Sequence, residues 1–125
     1  MNKIILILAA LVLVGCVSPK VRGVEGDYSL IASSKVPVSS LPAFRDCASD
    51  ALHDRTFGLG VQFINRQQRR SDHYRVELVD GDVGPLLSAD IYDDGRVELF
   101  EINVSAKYRH KDATEAFSQC LTRFK

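Results

Sequence analysis

The side chains of this chain with the widest chemical repertoire are three cysteines and three histidines. His53, His73 and His110 show no H-x-x-x-H or H-E-x-x-H spacing, so no helix face presents paired zinc ligands with an adjacent base. His53-Asp54 lies near several serines, but no G-x-S-x-G elbow holds a nucleophile for them. Asp80-Gly81-Asp82 and Asp93-Asp94-Gly95 carry carboxylates beside glycine without the ligand spacing and terminal glutamate of a calcium loop. Turn chemistry accounts for both. Gly58 and Gly60 lack the G-x-G-x-x-G spacing of a phosphate loop. Cys47 and Cys120 leave the third and fourth positions of a zinc site unfilled. No enzyme activity, metal or cofactor is therefore expected.

A different kind of chemistry is written at the N-terminus. A single charge, Lys3, precedes an uncharged apolar run from Ile4 to Val14. The run ends in Leu13-Val14-Gly15-Cys16 and is followed by Val17, Ser18 and Pro19. It is shorter than the roughly 20 apolar residues that span a bilayer. No A-x-A-like site of an ordinary secretory signal closes it. The stretch resembles the lipobox of bacterial lipoproteins. That resemblance implies that residues 1–15 are a signal peptide and that Cys16 becomes the N-terminus, carrying a diacylglycerol and palmitate-type acyl chains. Two or more chains give stable anchoring, at about 0.8 kcal/mol per buried methylene. Val17 is not the aspartate that retains such proteins in the inner membrane. The implied location is the cell envelope, on the outer membrane and facing the periplasm.

The resemblance also sorts the thiols. With Cys16 reserved for lipid, Cys47 and Cys120 are an even number in an oxidising compartment, where a disulfide is the expected state. Its loop of roughly 70 residues corresponds to about 4 kcal/mol in the chain-entropy view. Two free buried thiols are the alternative. The charges balance, 16 basic against 16 acidic, so nothing favours nucleic acid as a partner. A mature chain of about 110 residues suits one small domain.

The elements that position these residues follow from periodicity. Residues 16–40 read as a lipidated cysteine and flexible tether, rich in Ser, Gly and Pro, in which Tyr28-Ser29-Leu30-Ile31 is a possible edge strand. Leu41, Phe44, Cys47, Ala48, Ala51 and Leu52 form one helical stripe, with Ser40 as its cap. Phe57, Leu59, Val61 and Phe63 alternate as a strand, with the glycines between them marking a bulge. Asn65 to Asp72 reads as a polar loop. Tyr74, Val76 and Leu78 form a second strand. Leu87, Ala89 and Ile91 begin a hairpin turned at Asp94-Gly95. With those two residues as the loop, Tyr92 faces Val97 and Ala89 faces Phe100. Ala113, Ala116, Phe117, Cys120, Leu121 and Phe124 line a last helix, with Asp112 and Glu115 spaced as a capping box. Both cysteines lie on apolar stripes. The expected fold is α+β: residues 41–125 as a disulfide-clamped domain, two helices on one face of a roughly four-stranded antiparallel sheet, in the order helix, four strands, helix.

Two surfaces are candidates for partner binding. Arg66, Arg69 and Arg70, with Lys107, Arg109, His110 and Lys111, put positive charge on loops. Such loops suit lipopolysaccharide phosphates, a peptidoglycan carboxylate or an acidic protein. Tyr92, Val97 and Leu99 form an apolar patch on the outer sheet face. The function expected is that of a membrane-anchored periplasmic lipoprotein binding or assembling an envelope component, with a protein or glycan partner. The alternative is an immunity or exclusion lipoprotein that neutralises a protein in the periplasm.

Overall fold

The computed structural model describes residues 20–57, 60–104 and 110–125. Cys16 and the signal-like stretch lie outside the described residues. The fold is α+β. Six antiparallel strands are β1 (Tyr28–Lys35), β2 (Arg55–Phe57), β3 (Val61–Arg69), β4 (His73–Asp80), β5 (Gly84–Tyr92) and β6 (Arg96–Ile102). The helices are α1 (Leu41–Ala51), preceded by a short 3-10 turn at Val38–Ser40, and α2 (Lys111–Arg123). No helix among the described residues is long and apolar enough to cross a membrane.

The strand order β1-β6-β5-β4-β3-β2 makes β2 to β6 a meander, with β1 closing the far edge. Six strands replace the four expected, and one of them precedes the first helix. The stretch Phe57 to Phe63 is two strands, because Gly60 at φ +79° turns the chain back and pairs Phe57 with Val61. The polar segment from Asn65 is no loop: β3 continues to Arg69, paired residue by residue with β4. Its polar side chains are those of a strand near the sheet edge, with little above them to bury.

The tether reading of residues 16–40 is corrected from Lys20 onward. β1 pairs with β6 from Tyr28↔Ile102 to Lys35↔Arg96. Its serines suit an edge strand, most of whose surface is exposed. Upstream, residues 20–27 form a strap across the sheet. The Lys20 amide donates to the Val83 carbonyl at 2.9 Å. The Tyr28 hydroxyl donates to the Pro85 carbonyl at 2.6 Å. Gly84, at φ +104°, allows this approach: a Cβ there would stand 2.5 Å from the Lys20 carbonyl oxygen.

The β5–β6 register differs by one residue from the two-residue turn expected. Ile91 faces Val97 and Ala89 faces Leu99. Asp93, Asp94 and Gly95 all belong to the loop, and the Gly95 amide donates to the Tyr92 carbonyl at 3.0 Å. Gly95 takes the positive φ, +97°, that a three-residue loop places at its last position. A one-residue slip changes which residues share a face. Val97 and Leu99 therefore join Leu87, Ala89 and Ile91 in the core, at 1% and 0% exposure. The proposed outer apolar patch is corrected accordingly: of its three members only Tyr92 lies outside the core.

The helices share one side of the sheet. Gln67 of β3 donates to Ser49 of α1, and Asn65 donates to the Leu52 carbonyl. Phe44 of α1 meets the rings of Phe117 and Phe124 edge-on, at centroid distances of 6.0 and 5.9 Å. Such pairs add about 0.5–1.5 kcal/mol beyond burial. Cys47 and Cys120 are joined by a disulfide, their Cα atoms 5.9 Å apart.

The α1 cap falls at the expected residue and the α2 cap does not. Ser40 stands at the N-cap, but its helical backbone keeps the hydroxyl from a capping bond. His110 holds the N-cap of α2, two residues before the capping box expected at Asp112. Asp112 instead pairs with Arg55 of β2 at 2.6 Å. His110 is fully buried, its Nε2 3.0 Å from Glu101 Oε2, so it is no part of a solvated basic loop.

Candidate functional site

The sheet face away from the helices carries the charge. Period-two geometry places Arg66 and Gln68 of β3, His73, Arg75 and Glu77 of β4, Ser88, Asp90 and Tyr92 of β5, and Glu98 and Phe100 of β6 on it together. Pairing sets Arg66 against Glu77, Gln68 and Asp90 against Arg75, and Ser88 against Phe100. The strap covers part of this face. Arg22 lies 3.9 Å from the Phe100 ring centroid and donates to Ser88 at 2.7 Å and to Asp90 at 2.9 Å.

Asp90 is the hub, with its side chain 3% exposed. Arg75 donates to its other oxygen at 2.7 Å. Burial alone pushes the Asp90 carboxyl up. The hydrogen bonds and charges of Arg75 and Arg22 outweigh burial and hold it below the usual carboxylate range. Next along the sheet, Arg66 donates to Glu77 at 2.7 Å. The Tyr28 phenol is pushed up to about 12, first by burial and then by the charges of Glu77 and Asp27, so it stays protonated and donates.

Between the strap and β3–β4 lies a cleft of about 350 Å³, lined by Lys20, Val21, Arg22, Arg66, Gln68, Arg70, Arg75, Glu77, Gly84 and Pro85. Five of these residues are cations. Asp27 answers Lys20, Glu77 answers Arg66, and Asp90 is shared by Arg22 and Arg75. Three carboxylates against five cations leave an excess of two positive charges. Arg70 is exposed, and no side-chain partner holds it among the described residues. Guanidinium groups are suited to planar, bidentate capture of carboxylate or phosphate oxygens.

The residues expected from sequence separate here. Arg66 and Arg70 line the cleft. Arg69 does not join them: three positions along a strand from Arg66, it points to the other face, where it grips Asp93 at 2.6 and 2.7 Å. That hydrogen bond, ahead of burial, lowers the Asp93 carboxyl. Tyr92 is occupied by the His73 ring at 5.0 Å and Arg96 at 4.2 Å. Lys107 and Arg109 lie outside the described residues. Lys20, Arg22, Gln68, Arg75, Glu77 and Asp90 were missed. The available signal was the alternation of His73, Arg75 and Glu77 along β4: charges at every second position of a central strand need partners.

Among the described residues no group of three or more His, Cys, Asp and Glu could hold a metal ion. No protein-family model, curated protein or solved structure matches the chain.

Proposed function

We propose that this chain is an envelope lipoprotein, held by acylated Cys16 on the periplasmic face of the outer membrane, whose cleft binds an anionic envelope component. The observation that carries the binding part is the excess of positive charge in one cleft of a chain that is neutral as a whole. The anchor part is supported by the lipobox-like Leu13-Val14-Gly15-Cys16. The module binds rather than transforms its ligand. Its cations orient and neutralise oxygens, and every carboxylate among them is held by a cation.

The test joins fractionation with crosslinking. Cys16→Ala should shift the protein out of the membrane fraction or block its maturation; unchanged attachment would overturn the anchor. A photo-crosslinker at Gln68, in the lipidated chain in intact membranes, should capture an anionic glycan, lipid or acidic protein. Capture of no anionic species would overturn the binding reading.

A further inference from the structure

The strap begins at Lys20, four residues after Cys16. Four residues span at most about 14 Å. Under the anchor reading, on which this inference rests, the cleft cannot be far from the bilayer. The same side is also apolar in a pattern that solvent alone does not explain. Val21 and Val24 of the strap are 52% and 54% exposed. Leu30, paired with Phe100, and Ile64, paired with Val79, are 50% and 49% exposed on that side of the sheet. They account for four of the six exposed large aliphatic residues among the described residues. The other two are Ile31, at the β1 bulge, and Val38, in the turn that leads into α1. Apolar side chains on the same face as a cationic cleft suit an interface where one part enters the acyl boundary and the other meets headgroups.

We propose that this face lies on the membrane that holds the anchor and that the cleft takes the phosphate monoester of a lipid headgroup. The excess of two positive charges matches a phosphate monoester, which carries about −1.5 to −2 near neutral pH and three acceptor oxygens. A carboxylate, with one charge and two oxygens, would leave a cation uncompensated. Arg70, which has no side-chain partner among the described residues, and Lys20, whose pair with Asp27 is a looser 3.5 Å contact, are the residues to close on the phosphate, since Arg22 and Arg75 are tied to Asp90 at 2.9 and 2.7 Å. The helices and the disulfide then face away from the bilayer.

The experiment uses the mature chain with Cys16→Ser, so that attachment depends on this face and not on acyl chains. Flotation is measured with phosphatidylcholine vesicles, alone or containing phosphatidic acid or phosphatidylglycerol at equal surface charge. Binding is expected to the phosphatidic acid vesicles, weaker binding to the phosphatidylglycerol ones, and none to phosphatidylcholine alone. Lys20→Gln with Arg70→Gln should lower it tenfold or more, and Val21→Ser with Val24→Ser severalfold. Lys20→Gln and Arg70→Gln leave the Asp90 and Glu77 pairs intact, so the fold should persist, as circular dichroism will verify. Equal binding at matched surface charge, or no effect of the arginine and lysine changes, would overturn recognition by the cleft. Saturable binding of soluble glycerol phosphate without vesicle binding would overturn the lipid source. Mass spectrometry of Cys16 in the native chain separates the two readings. A lipidated Cys16 with no vesicle binding overturns this inference alone. Vesicle binding with an unmodified Cys16 supports phosphate recognition by the cleft and overturns the anchor together with the membrane placement that depends on it.

Discussion

Arg22 and Asp90, 68 positions apart in sequence, meet at 2.9 Å on the outer face of the sheet. The contact joins the strap to the centre of the sheet and forms one wall of the cleft. Asp90 also holds Arg75, so a single carboxylate organises two of the five cations. Removing either arginine leaves the carboxylate with the other and the His73 ring at 3.6 Å; removing the carboxylate takes the shared anion from two part-buried cations.

Asp90→Ala is accordingly expected to cost about 3–5 kcal/mol, the scale for breaking a buried ion pair on one side. Urea denaturation measures it. A loss below about 1 kcal/mol would mean that water replaces the carboxylate without penalty.

The same group sets part of the acid limb of stability. The folded Asp90 carboxyl is held below its ordinary value, so its contribution is complete above the unfolded carboxylate pKa of about 3.9 and is lost as pH falls through the lower folded value. Asp90→Asn should flatten the decline of unfolding free energy in that window. It will not abolish the decline. Asp93, lowered by the Arg69 hydrogen bond, and Asp94, lowered by the Arg96 amide, titrate there too. An unchanged acid limb would refute the role given to Asp90.

At the alkaline end the sign reverses. Tyr28 is raised to about 12, so its contribution is present below the unfolded tyrosine value of about 10 and is lost as pH rises through the folded value. Ultraviolet titration should show a late-ionising tyrosine that disappears in Tyr28→Phe. That variant also loses the bond to Pro85, about 1 kcal/mol.

Gly84→Ala should detach the strap. The added Cβ meets the Lys20 carbonyl oxygen at 2.5 Å, and φ +104° is strained for any L side chain, at about 1–3 kcal/mol. Hydrogen exchange should increase first at the Lys20 amide, with the core amides of β4 and β5 still protected. Protection of Lys20 equal to that of the parent chain would contradict the docking described.

The Cys47–Cys120 bond closes a sequence separation of 73 residues and ties α1 to α2. Replacing both cysteines by serine should lower stability by about 2–4 kcal/mol. Thiol labelling of the unreduced, denatured chain should leave both unmodified. Labelling of both would show that the thiols are free.

Much of the scaffold is legible without coordinates. The stripes of Leu41–Leu52 and Ala113–Phe124 give the helices, and alternation gives β4, β5 and β6. These signals are local, because the periods of 3.6 and 2 are written in neighbouring residues. They orient Cys47 and Cys120 inward before any pairing is known. The glycine and aspartate turns are legible for the same reason, although Asp94-Gly95 does not reveal whether Asp93 belongs to the loop. That single residue moved Val97 and Leu99 from a partner surface into the core.

The candidate site was mostly illegible. The arginines Arg66, Arg69 and Arg70 looked like one patch because they are close in sequence. Strand geometry divides them, sending Arg69 to Asp93 and leaving Arg66 with Glu77. Arg22 sat in a segment whose serines and glycines read as a tether. Its partner lies on β5, and no local pattern encodes a contact between a strap and a strand so distant in the chain.

The sequence by itself determined the helices, the inward set of the cysteines, the neutral balance of charge and the lipobox-like stretch ending at Cys16. Each depends on residue type or short spacing. Only the tertiary structure decided that residues 20–35 belong to the domain, that β1 closes the sheet edge, and that five cations line one cleft. Those outcomes depend on which strands pair and which face each residue takes. Long-range packing sets that, through a one-residue register and a glycine that lets Lys20 approach.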